Sequence, residues 1–169
     1  MVKRNFIIIV LVVFALNPIS CRKKNTNGDN AKNIKQDSLN LKLNIKPYNT
    51  VTLNSKADSL TRDWPMYSSL KNEIERLEDY TLQDLMTNII NIESVVDSLQ
   101  ETIPQQVDTL PVQSRIKILD IKAKFMLELS QKQKPKFDKI IKIAEEYPLE
   151  FNALNIQLNE VFIELPDFE

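Results

Sequence analysis

Apolar side chains recur every three or four residues over the longest patterned stretch of the chain. They are Leu70, Ile74, Leu77, Leu82, Leu85, Ile89, Ile92, Val96, Leu99 and Ile103. Alternating steps of three and four residues place side chains on one face of an α-helix, as in a coiled-coil seam. The step of five residues after Leu77 makes the seam slip. The pattern predicts one long helix over 64–103 with a stutter or kink near 78–81, although Thr81 and Asp84 could instead restart the helix.

Two further helices are predicted downstream, over 111–131 and 135–165, each beginning at a proline. Pro148 lacks a backbone donor and crowds the preceding turn, so we expect it to kink or restart the third helix. The second seam is formed by Val112, Ile116, Leu119, Ala123 and Met126, and we expect Ile118, Phe125, Leu127 and Leu129 to widen the same apolar face. The third comprises Phe137, Ile140, Ile141, Ala144, Tyr147, Phe151, Leu154, Leu158, Val161 and Leu165.

These segments predict an all-α fold, an elongated antiparallel three-helix bundle within a domain over 55–169. The chain has a single glycine, Gly28, which argues against the many tight turns of a sandwich or barrel. Charge alternates along the chain, with net −6 over 65–103, +6 over 113–142 and −7 over 143–169. Opposite signs on consecutive helices favour side-by-side packing. Ser55 and Asp63 are candidate helix caps.

The stretch before the bundle has two parts, which together make a tether over 21–54. Residues 22–37 are polar and rich in Asn and Lys, which is typical of a flexible spacer. Over 39–53, Leu39, Leu41, Leu43 and Ile45 alternate with polar residues. Period-two alternation is typical of a half-buried strand. The segment could also lie extended along its own domain, or present an edge that pairs with another protein.

The first 20 residues have the three parts of a secretion signal. Lys3 and Arg4 precede an unbroken apolar run of eleven residues, 6–16, and the run is followed by Pro18-Ile19-Ser20-Cys21. A helix needs about 20 apolar residues to cross a bilayer. We therefore expect a signal peptide over 1–20 rather than a membrane span.

The end of this segment resembles the lipobox of bacterial lipoproteins, in which a small residue precedes the cysteine that becomes lipidated. Ser20 and Cys21 match the motif, Ile19 is acceptable and Pro18 departs from the usual Leu. The resemblance implies cleavage before Cys21, acylation of Cys21 and a lipid anchor in the cell envelope. No acidic run follows Cys21. By analogy with Bacteroidota envelope lipoproteins, this favours the periplasmic face of the outer membrane.

The residue inventory excludes several enzyme classes. The chain has no His, and its only Cys is Cys21. It therefore lacks a Ser-His or Cys-His pair, a thiolate zinc site and the Glu-x-x-His ligands of a di-iron bundle. A single Gly excludes the phosphate-binding loops. The carboxylate pairs Glu93 with Asp97 and Glu145 with Glu146 are expected to be solvated, so we predict no enzyme, no cofactor and no metal.

The sequence favours a non-catalytic, membrane-anchored protein-binding or scaffolding module whose partner is an envelope protein or a second copy. The alternative is a carrier with a cavity between helices for lipid or a small apolar ligand. The lysines over 132–142 are expected to pair with acidic helices rather than with nucleic acid. Trp64, Tyr67 and Tyr80 are the aromatic residues that we expect to be partly exposed, and they are candidate interface residues, since Trp and Tyr anchor many interfaces. Core packing at the end of the bundle is the favoured interpretation.

Overall fold

The computed structural model describes residues 39–163, and over this range the fold is all-α, as predicted. Its five helices are α1 (Ser55–Arg62), α2 (Pro65–Arg76), α3 (Leu82–Glu101), α4 (Leu110–Ser130) and α5 (Phe137–Glu160). A single 3₁₀ turn, Gln105–Val107, lies between α3 and α4. The predicted signal peptide, the lipidation at Cys21 and the polar spacer lie outside the described residues.

The helix predicted over 64–103 is two helices, so the expectation of continuity is wrong. Helix α2 ends at Arg76, and α3 begins after Thr81, whose side chain accepts from the Asp84 backbone while the Asp84 side chain accepts in return. The restart at Thr81 was the alternative that the sequence left open. The backbone groups freed by the break are paired, because Leu43 donates to the Tyr80 carbonyl (2.9 Å) and Leu82 donates to the Leu41 carbonyl (2.8 Å).

A buried carboxylate holds this break together. Glu73 is only 7% exposed. It accepts from the Tyr80 hydroxyl (3.1 Å), from the Asn91 amide (3.1 Å) and from Arg76 (3.0 Å). The Arg76 guanidinium also lies 5.4 Å from the centre of the Tyr80 ring. These contacts join the last turn of α2, the connecting residues and the middle of α3, which satisfies the buried charge.

Both candidate caps were assigned to the wrong residue. Helix α1 is capped by Asn54, whose Oδ1 accepts from the Ala57 backbone at 2.9 Å, and Ser55 is already the first helical residue. Helix α2 is preceded by Trp64 and has no side-chain cap. Pro65 at its first position removes one donor that a cap would otherwise have to satisfy.

Helices α4 and α5 agree well with the sequence. Helix α4 begins one residue before the predicted start and ends one residue early. Helix α5 runs from Phe137 to Glu160, so it begins two residues after the predicted start and ends five residues before the predicted end. Pro148 lies inside the helix, which excludes the restart among the two outcomes expected there. Buried Pro148 is part of the apolar interior.

One apolar cluster joins all five helices. Helix α4 packs against α3 and α5, and α2 packs against α3 and α5. The cluster includes most residues of the predicted seams, among them Leu70, Ile89, Val96, Ile116, Leu119, Tyr147, Leu154 and Leu158. Burial of these side chains, each worth about 1.5–3 kcal/mol, is the main source of stability.

Residues 41–54 lie extended on their own domain, which was one of the three alternatives for this segment. Leu43 is buried, and Leu39, Ile45 and Leu53 pack partly buried against the core. Leu41, which shares their period-two spacing, is 57% exposed, so the alternating side faces the helices over only part of its length. The segment makes an isolated antiparallel bridge between Lys42 and Thr81, and residues 39–163 contain no strand.

Candidate binding surface

Three asparagines on α5 bind the backbone of residues 49–54, a segment that we call the strap. Asn152, Asn155 and Asn159 are three and four residues apart, which places them on one face of the helix. Asn152 accepts from the Val51 amide (3.0 Å) and donates to the Asn49 carbonyl (2.9 Å). Each carboxamide offers both a donor and an acceptor, so it can pair with an extended backbone as a neighbouring strand would.

The other two asparagines extend this pairing. Asn159 accepts from the Asn54 amide (2.7 Å) and donates to the Thr52 carbonyl (2.9 Å). Asn155 donates to the Val51 carbonyl at 3.4 Å and accepts from the Tyr67 hydroxyl at 2.8 Å. We call these three residues, Asn152, Asn155 and Asn159, the asparagine clamp. The clamp ties the strap to α5 and to α2.

A cleft of about 440 Å³ lies between the strap and the helices α1, α2 and α5. Its walls include the aromatic rings of Tyr48, Tyr67 and Phe151. The charged groups at its rim are paired within the chain, Asp58 with Arg62 and Lys71 with Glu75. The volume lies within the range of small-molecule sites. An apolar wall with a neutralised rim suits a small uncharged ligand.

The expectation that Trp64, Tyr67 and Tyr80 are partly exposed is wrong. Their exposed fractions are 2%, 5% and 6%. The Trp64 indole donates to the Thr102 hydroxyl at 3.0 Å and its ring lies 6.0 Å from that of Tyr67, which packs in turn against Phe151. These residues fill the interior, as the core-packing interpretation predicts, and they offer little surface to a partner.

An exposed apolar face lies on α4, opposite its core side. Leu110, Ile121 and Phe125 are 76%, 56% and 44% exposed, and Ile118 is half-buried. Helical spacing places these four residues, the outer stripe of α4, away from the buried seam. A groove of about 690 Å³ beside Leu110 and Ile118 extends to the end of α3.

Basic residues border the outer stripe of α4 on both sides. Lys117 and Lys124 lie toward α3, whereas Lys122 lies toward α5, where its Nζ is 2.8 Å from Glu146 and 3.0 Å from Glu150. Burial lowers the pKa of Lys122, but these two carboxylates outweigh it and leave the pKa above its ordinary value. The pairing of basic α4 with acidic α5 that the charge pattern predicted is present here.

A carboxylate cluster at the contact of α3 and α4 is already neutralised by lysines. Oxygens of Glu93, Asp97 and Asp120 lie within 4.8 Å of one another, a spacing that could suit a metal ion. However, the Lys124 Nζ lies 3.1 Å from Asp97 and 2.7 Å from Asp120, and the Lys117 Nζ lies 2.7 Å from Asp120. A cation would have to displace these ammonium groups.

The protonation of Asp120 follows from the same contacts. Burial raises the pKa of Asp120, but hydrogen bonds from Lys117 and Lys124 outweigh it and leave the pKa below its ordinary value. Asp120 is 1% exposed. It is therefore a buried, charged partner of two lysines that fastens α4 to α3, where Lys124 also reaches Asp97.

Two features were missed by the sequence reasoning. Ile118 and Phe125 were assigned to the core face of α4, but they face outward together with Leu110 and Ile121, which share their helical spacing. The asparagine clamp was not predicted, although its spacing of three and four residues is visible in the sequence. No described helix is both long and apolar enough to cross a membrane. In comparisons with protein-family models, curated proteins and solved structures, none matches this chain.

Proposed function

We propose that this chain is a non-catalytic, lipid-anchored binding or scaffolding module of the bacterial cell envelope. Cys21 would carry the anchor, and residues 22–38 would space the helical domain from the periplasmic face of the outer membrane. The outer stripe of α4 would be the surface that contacts another protein. As its framework, we infer that α3, α4 and α5 form an elongated antiparallel bundle on which α1 and α2 pack.

The observation that carries this proposal is the pair of opposed faces on α4. One face is completely buried in the interior, where Val112, Ile116 and Leu119 are each 0% exposed. The other leaves Leu110, Ile121 and Phe125 in solvent beside a groove. Large exposed apolar patches with polar borders are typical of interaction sites. The strap, by contrast, already pairs the backbone of Asn49, Val51, Thr52 and Asn54 with the asparagine clamp.

The anchor is tested by intact-mass analysis of the chain purified from membranes of an expressing bacterium. We expect a product that begins at Cys21 and carries diacylglycerol, and we expect Cys21→Ser to leave the signal uncleaved. Detection of an unmodified Cys21 thiol on the wild-type product would refute the anchor. Separation of inner from outer membranes would test the proposed location.

The docking surface is tested by placing a photoreactive amino acid at Ile121 and irradiating intact cells. A matched control places it at Ile90 on α3, which is 63% exposed against 56% for Ile121. We expect a discrete crosslinked product from Ile121 and none from Ile90. Equal crosslinking from both positions, or none from either, would contradict the assignment of α4 as the binding surface.

A second candidate function is that of a carrier for a small apolar ligand, and the cleft beneath the strap favours it. Native mass spectrometry of the membrane-purified chain would reveal a retained ligand beyond the acyl groups. Ser68→Trp, in a half-buried residue of the cleft lining, would then fill the site and remove the ligand. A measured mass equal to that of the chain with its acyl groups and nothing else would argue against the carrier.

The proposed absence of catalysis has its own test. Replacement of Glu93 and Asp97, or of Glu145 and Glu146, by the corresponding amides should leave any cellular phenotype of the protein unchanged. Loss of the phenotype in a variant that keeps its fold would instead favour acid–base chemistry at that carboxylate pair.

A further inference from the structure

A second outer apolar stripe lies on α5. Leu149 and Ile156 are 56% and 43% exposed, Ala153 is half-buried between them, and Ile163 beyond the end of the helix is 59% exposed. The steps of four, three and seven residues keep these four side chains, the outer stripe of α5, on one side. They point away from the buried residues Tyr147, Leu154 and Leu158.

The two stripes carry opposite charge at their borders. Helix α4 has four basic residues beside its stripe, Arg115, Lys117, Lys122 and Lys124. Helix α5 has no basic residue after Lys142, and its acids there are Glu145, Glu146, Glu150 and Glu160. Within one chain this complementarity already pairs Lys122 with Glu146 and Glu150.

We propose that the outer stripe of α4 docks on the outer stripe of α5 in a second copy of this chain. Laid antiparallel, the two stripes match in register at three successive positions, and Ile163 comes within one residue of the level of Leu110. Phe125 faces Leu149, Ile121 faces Ala153 and Ile118 faces Ile156. The bulkiest exposed ring is thus opposite a leucine, and the smallest residue is opposite Ile121.

The charged borders fit the same register. On the flank that carries Arg115 and Lys122, Glu150 of the second copy comes near Lys122, which already binds Glu150 of its own chain. Glu160 of the second copy, four residues after Ile156, lies on the stripe itself close to the level of Arg115. A like-charged position occurs at the end of the stripe, where Glu128 faces Glu145, but Glu128 is bound to Lys132 in its own chain. A contact between two α4 stripes would instead bring basic flanks together, which charge repulsion disfavours.

This contact joins two different surfaces, so each bound copy keeps one free stripe where a pair of copies makes the contact only once. Such a heterologous interface closes into a ring or continues as a chain of copies. The inference rests on the part of the proposed function that makes the outer stripe of α4 a docking surface. It does not depend on lipidation of Cys21, and it names the partner that the proposed function leaves general.

The test uses single cysteines in the full chain, purified in detergent with Cys21→Ser as background. Ile121→Cys and Ala153→Cys are prepared separately, mixed and oxidised, so that a disulfide can form only where the two sulfur-bearing Cβ atoms approach to about 4 Å. We expect the mixed disulfide between these two variants to exceed either homodimer at least tenfold. The matched control mixes Ile121→Cys with Ile90→Cys, and we expect no excess there.

The charged border provides an independent readout by sedimentation. Arg115→Glu and Glu160→Arg should each weaken association about tenfold, and a mixture of the two variants should recover it through the exchanged pair. Within residues 39–163, Arg115 forms no ion pair at 4.0 Å or less. The Glu160 carboxylate accepts a hydrogen bond from the exposed Gln157 side chain, so folding should be little affected in either variant.

The possible outcomes separate this inference from the proposed function. A dominant Ile121→Cys homodimer, or a chain that stays monomeric at high concentration, would overturn the contact between copies. Binding of the monomer to anionic lipid vesicles through the α4 stripe would also overturn it and assign the stripe to the bilayer. If the photoreactive residue at Ile121 still captured a different protein in cells, the proposed docking surface would be supported while the contact between copies would be rejected.

Discussion

The asparagine clamp yields a sharp prediction about local stability at the strap. Asn152→Ala removes two hydrogen bonds, one from the Val51 amide and one to the Asn49 carbonyl. Each such bond contributes about 1 kcal/mol, because water replaces it when the strap opens. The free energy of opening the strap should therefore fall by about 2 kcal/mol. This corresponds to a roughly thirty-fold faster exchange of the Val51 amide hydrogen.

The assay is residue-resolved hydrogen exchange of the folded chain by NMR. The Asn54 amide should change less than the Val51 amide, because Asn159 still holds it at 2.7 Å. Asn72→Ala on α2 is the matched control, since Asn72 is exposed and the substitution brings the same gain in helix propensity, about 0.6 kcal/mol. Unchanged exchange at Val51 in the Asn152→Ala variant would refute the clamp.

A second variant separates the two roles of the carboxamide. Asn152→Asp keeps an acceptor for the Val51 amide but has no donor for the Asn49 carbonyl. We therefore expect the Val51 amide to exchange more slowly in Asn152→Asp than in Asn152→Ala. Faster exchange in the aspartate variant would mean that repulsion from the Asn49 carbonyl outweighs the retained bond.

The buried polar groups give three further predictions. Glu73→Ala should lower the free energy of unfolding in urea by about 2–3 kcal/mol, since three donors lose their shared acceptor; a loss below about 0.5 kcal/mol would contradict the network. Burial and Glu73 raise the pKa of Tyr80 from 10.0 to about 12. The free energy of unfolding should therefore decline as the pH rises from the first value to the second, and it should decline less steeply in Tyr80→Phe. The pKa of Asp120 is lower in the folded chain than its ordinary value of 3.8, and this difference stabilises the fold above pH 3.8. The stabilisation is lost as the pH falls through the pKa of the folded state. Asp120→Asn should flatten that acid-induced decline in denaturant titrations, and an unaltered acid slope would count against the pairing with Lys117 and Lys124.

The helices that were well predicted are those whose boundaries are local. Helices α4 and α5 carry a helical apolar period, and each begins close to a proline. The break before α3 was visible only as a slip of the seam after Leu77. Whether the chain continues or restarts there depends on partners for the freed backbone groups, and Leu41 and Leu43, about 40 residues away, supply them. Such a long-range contact leaves no local signal.

The candidate surfaces were less predictable for a similar reason. Ile118 and Phe125 were grouped with the core because apolar residues on one helix are normally buried together. A helix that is apolar on two opposite sides satisfies the same composition, and only the positions of α3 and α5 decide which side is covered. Asn152, likewise, resembles many other asparagines of this Asn-rich chain until its partner on the strap, 101 residues away, is known.

The extended N-terminal segment is attached to the helices at two places, and this links its structure to the proposed anchor. Residues 41–43 pair with the backbone at the break before α3, and the strap pairs with α5. If Cys21 is held in a membrane, any pull on the domain enters first at Leu41 to Leu43 and then at the clamp. These attachments consist of a few hydrogen bonds and one buried apolar side chain, Leu43, whereas the helices share a continuous apolar interior. The segment should therefore open before the bundle does, which would lengthen the spacer while leaving the outer stripes of α4 and α5 intact.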